Sequence, residues 1–333
     1  MLEINKTLVI VRGGGDIATG SIQKLYRAGF KVLVLEIEKP SAIRRKVAFC
    51  EAIYEKEMTI EGVTAKLCNS IEDIEQVWRE KKIPVLVDST GESIYKLKPQ
   101  VVIDGILAKK NYGTNREMAP ITIGLGPGFT AGEDVDVVIE TMRGHNLGKL
   151  IFEGKPMANT GIPGIIKGVG KERVIYSPCA GVVKNICKIG DMVEKNQVIA
   201  TVDGVEVLAT ISGVLRGLIR EGYEVPEKFK MADIDPREEE QANCFTISDK
   251  ARAIGGAVLE AVLYLKNEKS IKRVVRIYNP IKYDNKEWNV KRENIVLAVG
   301  RLEDQKGFDL LLQAWKNIEN KYKDWKLCIV GKG

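Results

Sequence analysis

A glycine-rich turn near the N-terminus has the residue types and spacing that bind a pyrophosphate. It reads Gly-x-Gly-x-x-Ala, with Gly13, Gly15 and Ala18 at the three fixed positions. In such a turn the first glycine permits a tight bend and the second lets a phosphate approach the backbone. The small third residue allows the next helix to pack close to the sheet. Unpaired amides at the N-terminus of that helix would complete an anion-binding site.

A carboxylate follows where a nucleotide ribose would be bound. Glu36 closes the predicted strand Lys31–Glu36, and an acidic residue at the end of the second strand contacts the ribose in dinucleotide-binding folds. A purely structural turn is the alternative, because Asp16 would bring negative charge to the phosphate position and could cap the helix itself. The nucleotide-binding residues that we predict are Gly13, Gly14, Gly15, Ala18, Gly20 and Glu36.

A second glycine-rich loop follows another apolar stretch. Residues 124–132 read Gly-Leu-Gly-Pro-Gly-Phe-Thr-Ala-Gly, directly after the strand-like segment that begins at Ile121. Successive amides in such a loop can form an anion-binding nest. A tight loop at the carboxyl edge of the sheet is an equal alternative. The candidate residues of this second anion loop are Gly124, Gly126, Gly128 and Thr130.

Residues able to do acid–base, nucleophilic or metal chemistry are few. His145 is the one histidine, and the six cysteines include no Cys-x-x-Cys pair. This composition predicts no metal site and no disulfide framework. His145 is available as a general base, although a loop hydrogen-bonding role is commoner for a lone histidine. Packing is the first interpretation for Cys179, Cys187 and Cys244, whose roles the sequence leaves open.

The elements that would hold the glycine turn alternate between strand and helix. Thr7–Arg12 is a β-branched strand, Ile17–Ala28 is amphipathic at helical spacing, and Lys31–Glu36 is a second apolar strand. Later helices and strands are predicted at 42–54, 71–81, 83–88 and 100–104. The alternation predicts the α/β class, with a Rossmann-like, mostly parallel sheet.

The middle of the chain contains an internal repeat. The segments Ser177–Val183 and Ala209–Leu215 have similar sequences and lie 32 residues apart. The repeat predicts two similar halves, each made of short strands and related by a pseudo-twofold axis. Such a structure resembles the barrel-sandwich hybrid of biotinyl and lipoyl carrier domains. The hairpin Thr201–Val207 has no lysine, so we expect neither biotin nor lipoate. A docking or oligomerisation module is therefore the first interpretation.

The charge changes sharply along the chain. Residues 1–268 carry 36 Lys or Arg against 37 Asp or Glu, a net −1, whereas residues 269–333 carry 15 against 8, a net +7. This shift predicts a domain boundary near residue 269 and no nucleic-acid-binding surface on the main body. No apolar stretch is long enough for a signal peptide or a membrane span, which predicts a cytoplasmic protein without membrane contact.

Six segments of the first 268 residues form a joint pattern that is more specific than any one of them. They are Arg12–Gly20, Asp104–Asn111, Gly124–Gly132, Glu140–His145, Asn159–Pro163 and Cys244–Lys250. The pattern resembles the YqeB family of selenium-dependent molybdenum hydroxylase systems. This resemblance implies an accessory or maturation protein that binds a nucleotide or a nucleotide-bearing cofactor, with NAD(P) and a molybdopterin nucleotide as candidates. It also implies a molybdenum hydroxylase apoenzyme as a partner.

The end of the chain has a different resemblance. Asn294–Leu302 reads as a strand, Asp309–Tyr322 as a helix and Trp325–Val330 as a second strand. The segment resembles a truncated nucleotide-sugar-binding half of family 4 retaining glycosyltransferases. In that family, basic residues at the positions of Arg301 and Lys306 hold the donor diphosphate. We expect a vestigial site here, because the later carboxylates that hold the sugar would be missing.

The predicted organisation has four parts. They are a Rossmann-like nucleotide-binding domain (1–170), a barrel-sandwich hybrid (171–237), a helical segment (238–268) and a glycosyltransferase-like fragment (269–333). A non-catalytic accessory protein is favoured over an enzyme, since no proton-transfer pair or activated nucleophile stands out. The alternatives are an NAD(P)-dependent oxidoreductase acting at the glycine turn and a glycosyltransferase acting through the tail. The expected partner is a nucleotide-type small molecule, and a homo-oligomer is left open.

Overall fold

The computed structural model describes residues 4–159, 161, 164–271, 294–299 and 307–331. Two compact units divide the chain, Met1–Val274 and Val275–Gly333. The first unit contains a large sheet with its helices and a smaller β module, and the second contains one βαβ element. Among the described residues, none of the helices has the length and apolar character needed to cross a membrane.

The large sheet of the first unit has nine strands and is parallel except at its two edges. In chain order the strands are β1 Leu8–Arg12, β2 Lys31–Glu36, β3 Glu57–Ile60, β4 Val63–Cys68, β5 Ile83–Val87, β6 Val101–Asp104, β7 Ile121–Leu125, β8 Val137–Ile139 and β9 Leu150–Ile151. Their order across the sheet is β3-β4-β5-β2-β1-β6-β7-β8-β9. The run from β5 to β8 has the strand order of a Rossmann-like fold, so the predicted α/β class is confirmed.

Side chains alternate between two cores along the central strand. Val9 and Val11 belong to the core that also contains Val258, whereas Ile10 belongs to the opposite core with Ile94. The α-helices of this unit are α1 Asp16–Arg27, α2 Ala52–Glu55, α3 Ile74–Arg79, α4 Glu92–Leu97 and α5 Asp249–Ile271. Because helices cover both faces, the strands are apolar at successive positions, as in buried parallel sheets.

The predicted helix at 42–54 is present only in pieces, as two 3-10 turns followed by α2. The amide of Cys50 donates to the carbonyl oxygen of Gly14 at 2.9 Å. The amide of Phe49 donates to the hydroxyl of Thr19 at 3.0 Å. These bonds tie the segment to the glycine turn, so tertiary contacts override its helical spacing.

The smaller β module consists of two four-stranded antiparallel sheets. Its strands are β10 Val174–Tyr176, β11 Gly181–Asn185, β12 Met192–Val193, β13 Val198–Val202, β14 Val205–Leu208, β15 Gly213–Leu218, β16 Glu224–Val225 and β17 Lys230–Asp235. The 32-residue repeat relates β11 to β15, β12 to β16 and β13 to β17. Strand β11 pairs with β16, and β15 pairs with β12. Each half of the repeat therefore completes the sheet of the other half.

The second unit is a small parallel element. Strand β18 (Asn294–Val299) pairs in parallel with β19 (Trp325–Val330), and helix α6 (Phe308–Ile318) connects them. A connection through a helix is what two parallel neighbours require. The two strands and the helix agree with the elements predicted from the sequence of the tail.

Candidate functional site

A crevice opens at the carboxyl edge of the large sheet, where the strand order reverses. Strands β1 and β6 are neighbours in the sheet. The strand that follows β1 in the chain, β2, lies on one side of this pair, and the strand that follows β6, β7, lies on the other side. The loops after β1 and β6 therefore diverge, and open α/β sheets bind ligands at such a point. The cavity has a volume of about 470 Å³. Its lining comes from both loops, the end of β2 and the β module, and includes Gly13, Gly15, Glu36, Ile106, Phe229 and Lys230. We call it the switch-point crevice.

Two glycines of the turn have different physical roles. Gly13 has a positive φ of 88°, and a Cβ there would lie 3.0 Å from the backbone of Ile106. Gly15 has a φ of −63°, which any residue adopts, and a Cβ there would meet no atom within 4 Å. Gly13 is therefore required by the fold of the turn. Gly15 leaves open space next to the backbone, which is where a phosphate approaches in a turn of this type.

The N-terminus of α1 reaches this crevice without a side-chain cap. Gly15 precedes the first helical residue, and no described side chain caps the amides of the first turn. The sequence allowed Asp16 as a cap, but Asp16 is the first helical residue and its carboxylate lies 3.7 Å from the guanidinium of Arg44. The capping alternative is therefore not realised. The amides at this helix end remain available to an anion.

Glu36 supports the turn and also lines the crevice. One carboxylate oxygen accepts from the amide of Gly14 at 2.6 Å, and the other accepts from the amide of Ile37 at 2.9 Å. Burial raises the pKa of Glu36, while the two amide hydrogen bonds oppose that rise. Because each carboxylate oxygen has a second lone pair, Glu36 can also accept from a ligand hydroxyl.

Cationic side chains surround the helix end, and sequence reasoning missed them. Lys230 is exposed and lines the crevice from the β module. Burial lowers the pKa of Arg44, and the nearby charge of Asp16 opposes that effect. Burial likewise lowers the pKa of Lys250, with the neighbouring Arg143 adding to the decrease. These residues are far from the glycine turn in sequence, so only the folded chain brings them to it.

Ala18 and Gly20 do not line the crevice but lie where α1 packs against neighbouring elements. A Cβ on Gly105 would lie 2.9 Å from the Cβ of Ala18, so α1 packs closely on the loop after β6. A Cβ on Gly20 would overlap the carbonyl oxygen of Ala251, and a Cβ on Gly255 would overlap the backbone of Gly20. The structure therefore places Gly20 in the crossing of α1 and α5 and not at the predicted nucleotide site.

The second glycine loop closes on itself. The amide of Thr130 donates to the carboxylate of Asp134 at 2.7 Å, and the amide of Gly126 donates to the carbonyl oxygen of Ile139 at 2.9 Å. A Cβ on Gly124 would lie 2.6 Å from the ring of Phe129. A Cβ on Gly128 would likewise lie 2.8 Å from the backbone of Lys110. These contacts favour the tight structural loop over the anion-binding nest.

A buried polar network ties β1 to β6 directly beneath the crevice. The guanidinium of Arg12 donates to the hydroxyl of Thr114 at 2.5 Å, and that hydroxyl donates to the carboxylate of Asp104 at 2.6 Å. Asn111 exchanges two hydrogen bonds with the backbone of Thr114, at 2.7 and 2.8 Å. The network fixes the loop after β6. In the sequence, this network could have been suspected only from Arg12 and Asp104, each of which is the last residue of its strand. Whether the two residues meet depends on the strand order, which the sequence does not show.

The histidine and cysteines provide no reactive group at the crevice. His145 is exposed in the loop after β8. Cys50 lines the crevice, but burial and the neighbouring Glu36 raise the pKa of its thiol well above the ordinary value. A protonated, buried thiol is a poor nucleophile. Within the described part of the chain, no cluster of three or more His, Cys, Asp or Glu residues could hold a metal ion.

Arg301 and Lys306 lie outside the described residues, between β18 and α6. The segment Asn159–Pro163 also lies partly outside them.

The fold and the crevice define a protein in which a Rossmann-like sheet is joined to a pseudo-twofold β module. The chain is similar to the uncharacterized protein YqeB of Escherichia coli K12, at 49% identity over 272 residues. The match covers 81% of this chain and 50% of that protein, so the chain spans about half the length of this relative. The resemblance of the main part of the chain to the YqeB family, noted from its segments, is therefore confirmed.

The end of the chain matches a different family. The family model described as glycosyl transferases group 1 matches residues 281–333. An uncharacterized glycosyltransferase of Haemophilus influenzae is 44% identical over 61 residues, which cover 18% of this chain and 17% of that protein. Among solved structures, TcdA (CsdL) covers 79% of the chain and is itself covered over 89%, with a TM-score of 0.29 and 14% identity. The resemblance of the tail to glycosyltransferases is also confirmed.

Proposed function

We propose that the first unit binds a nucleotide-bearing cofactor in the switch-point crevice. The observation that carries the proposal is the open backbone at Gly15, next to an uncapped helix N-terminus at the reversal of strand order. Backbone amides at a helix N-terminus bind phosphate through both their hydrogen bonds and the helix dipole. A pyrophosphate would therefore lie over Gly15 and the first turn of α1.

The rest of the crevice suits the nucleotide's other parts. Glu36, at the end of β2, is positioned to accept from ribose hydroxyls, and Lys230 adds a positive charge opposite the sheet. The volume of about 470 Å³ lies in the ordinary range for small-molecule sites. The candidate cofactors are NAD(P) and a molybdopterin nucleotide, and the second is the one that the resemblance to the YqeB family implies.

We further propose an accessory role in a selenium-dependent molybdenum hydroxylase system. This step rests on what the resemblance of the main part of the chain to the YqeB family implies. The crevice presents no proton-transfer pair and no low-pKa thiol among its described residues, which favours cofactor handling over catalysis. The proposed partner is a cytoplasmic molybdenum hydroxylase apoenzyme, with the β module as its docking part.

A second candidate function applies to the tail alone. The match of residues 281–333 to glycosyl transferases group 1 supports the binding of a nucleotide sugar. In this proposal Arg301 and Lys306 hold the donor diphosphate. A nucleotide sugar that binds to the second unit, and not to the first, would separate this activity from the function of the crevice.

The crevice proposal is tested by identifying and titrating its cofactor. Mass spectrometry of molecules released from the purified protein should find a nucleotide-bearing cofactor, and calorimetry should then be done with NAD⁺, NADP⁺ and a molybdopterin nucleotide. Gly15→Val should abolish binding, because the added side chain occupies the phosphate position. Gly256→Val is the matched control, since a Cβ at Gly256 also meets nothing within 4 Å. Undiminished affinity in Gly15→Val would remove the site assignment.

The identity of the bound nucleotide also separates the alternatives. A molybdopterin nucleotide supports the accessory role. Exclusive binding of NAD(P), together with hydride transfer to an added acceptor, would instead establish the oxidoreductase alternative.

A further inference from the structure

A second cavity lies between the β module and the N-terminus of α5. Its volume is about 690 Å³. Its charged lining consists of five basic side chains against three carboxylates, Asp235, Glu240 and Asp249. The basic residues are Arg143, Lys167, Arg216, Arg237 and Arg252. Two of the segments that carry the YqeB resemblance, Glu140–His145 and Cys244–Lys250, border this cavity and contribute nothing to the lining of the switch-point crevice.

One guanidinium in this cavity, that of Arg216, forms ion pairs but no hydrogen bond with the described residues. Asp233 is held by Arg173 through two hydrogen bonds of 2.8 and 2.9 Å. Asp235 is held by Arg237 in the same way, at 2.9 and 2.8 Å. Arg216 lies 3.9 Å from Asp233 and 3.8 Å from Asp235, beyond hydrogen-bond distance. Three arginines therefore share two aspartates, and Arg216 has no hydrogen-bond acceptor among the described residues.

The backbone aims Arg216 away from the strand ladder. In the pairing of β15 with β17, Leu215 is opposite Ile234 and Gly217 is opposite Asp233, so Arg216 is the extra residue of a β-bulge. Bulges redirect a side chain and are common beside functional sites. The Arg216 side chain is only 16% exposed. Its nitrogens still reach the open cavity, where a ligand can supply the hydrogen-bond acceptors that the two aspartates do not.

The other cations of the cavity are already paired. Arg143 makes two hydrogen bonds with Asp249, at 2.7 and 2.8 Å, and these hold the pKa of Asp249 far below its usual range. Arg252 bonds Glu61 at 2.5 Å. These pairs fix the walls of the cavity, while Arg216 lines it without a hydrogen bond to a described residue.

We propose that this cavity, called here the Arg216 cavity, binds a small molecule that carries a phosphate-type group. A guanidinium fork matches two oxygens of a tetrahedral oxyanion, which a point charge does not. Each of the other basic residues of the lining is hydrogen-bonded to a carboxylate, so we place the oxyanion on Arg216. The site is separate from the switch-point crevice and is independent of the function proposed for it.

The test is calorimetric titration of the full chain with pyrophosphate, with glycerol phosphate and with inorganic phosphate. The wild-type protein should bind pyrophosphate at two sites. Gly15→Val should lose the crevice site and keep the other, and Arg216→Met should show the reverse pattern, weakened at the Arg216 cavity by at least about tenfold. Arg216→Lys should retain part of the affinity, because it keeps the charge and loses the fork. Tighter binding of glycerol phosphate than of inorganic phosphate identifies an organic ligand, and the opposite order identifies the free ion.

Thermal melting separates ligand binding from a structural role. Asp233 and Asp235 keep their own arginine partners in Arg216→Met, so its melting temperature without ligand should match that of the wild type. A large fall in melting temperature would show that Arg216 holds the aspartates, and would overturn the proposal. Binding of neither phosphate compound, or equal pyrophosphate binding by Arg216→Met and the wild type, would also overturn it.

Discussion

Replacing Thr114 with valine tests whether one hydroxyl holds the buried pair beneath the crevice. That hydroxyl accepts from Arg12 at 2.5 Å and donates to Asp104 at 2.6 Å, while the two charged groups are 3.9 Å apart. Valine has nearly the same volume and can make neither bond. Both charged groups would therefore remain buried, one with an unused donor and the other with an unused acceptor.

The size of the effect follows from these two bonds. A hydrogen bond to a charged group contributes about 1.5–3 kcal/mol. Because Arg12 can shift part of the way toward Asp104, we expect the free energy of unfolding of the first unit to fall by about 3 kcal/mol. For a unit of this size that corresponds to a decrease in melting temperature of about 6–12 °C.

The loss should shrink as the pH falls. Burial raises the pKa of Asp104, while Thr114, the amide of Ile106 and the charge of Arg12 oppose that rise. Removing the hydroxyl raises this pKa further. A carboxyl with a raised folded-state pKa contributes stability that is fully present below its unfolded pKa and is lost as the pH rises through the folded pKa. The variant has the larger rise, so its deficit should be greatest near neutral pH and smaller at about pH 4.

Urea unfolding of both proteins at several pH values measures this deficit. Thr59→Val is the matched control, because the Thr59 hydroxyl hydrogen-bonds that of Thr64 at 2.8 Å on an exposed edge. Its effect should stay within about 0.5 kcal/mol. If Thr114→Val were as stable as this control, or if its deficit grew toward acid pH, the network would not be the link that we describe.

Other changes test the helix crossing, the crevice, the β module and the division into units. Gly20→Ala should lower the free energy of unfolding by about 2–3 kcal/mol in urea titrations, because its Cβ overlaps the Ala251 carbonyl oxygen; an unchanged midpoint would contradict the close crossing. Lys230→Glu should weaken cofactor binding about tenfold by calorimetry, and equal affinity would place the phosphates elsewhere. Intact-mass analysis should find no biotin or lipoyl group, since the hairpin between β13 and β14 lacks lysine. Deleting residues 275–333 should leave the melting and cofactor binding of the first unit unchanged, and a large fall in either would show that the units are integrated.

Local patterns in the sequence were sufficient for much of the fold. The apolar runs at Thr7–Arg12 and Lys31–Glu36, with glycines between them, predicted the first βαβ unit because strand and helix periodicities are local properties. The repeat that starts at Ser177 and Ala209 predicted the pseudo-twofold module, because segments of similar sequence form strands at corresponding positions. The helix predicted at 42–54 failed because contacts with the glycine turn decide its conformation.

The candidate site was only partly accessible from the sequence. The spacing of Gly13, Gly15 and Glu36 identified the turn and its carboxylate, and the structure brings all three to one crevice. Gly20 belonged to the same sequence pattern, yet its position is fixed by a helix that lies more than two hundred residues away in the chain. A glycine in a sequence motif shows only that another group can come close to the backbone. Whether that group is a ligand or a neighbouring helix depends on the elements packed around it.

By itself the sequence determined the first βαβ unit, the glycine turn, the repeat and the change of composition near residue 269. Tertiary structure alone decided that β1 and β6 are neighbours, that Thr114 joins Arg12 to Asp104, and that Arg216 is left without an acceptor. The reason is that hydrophobic periodicity and turn chemistry act over a few residues. The charge balance of a buried site depends instead on which distant segments the strand order brings together.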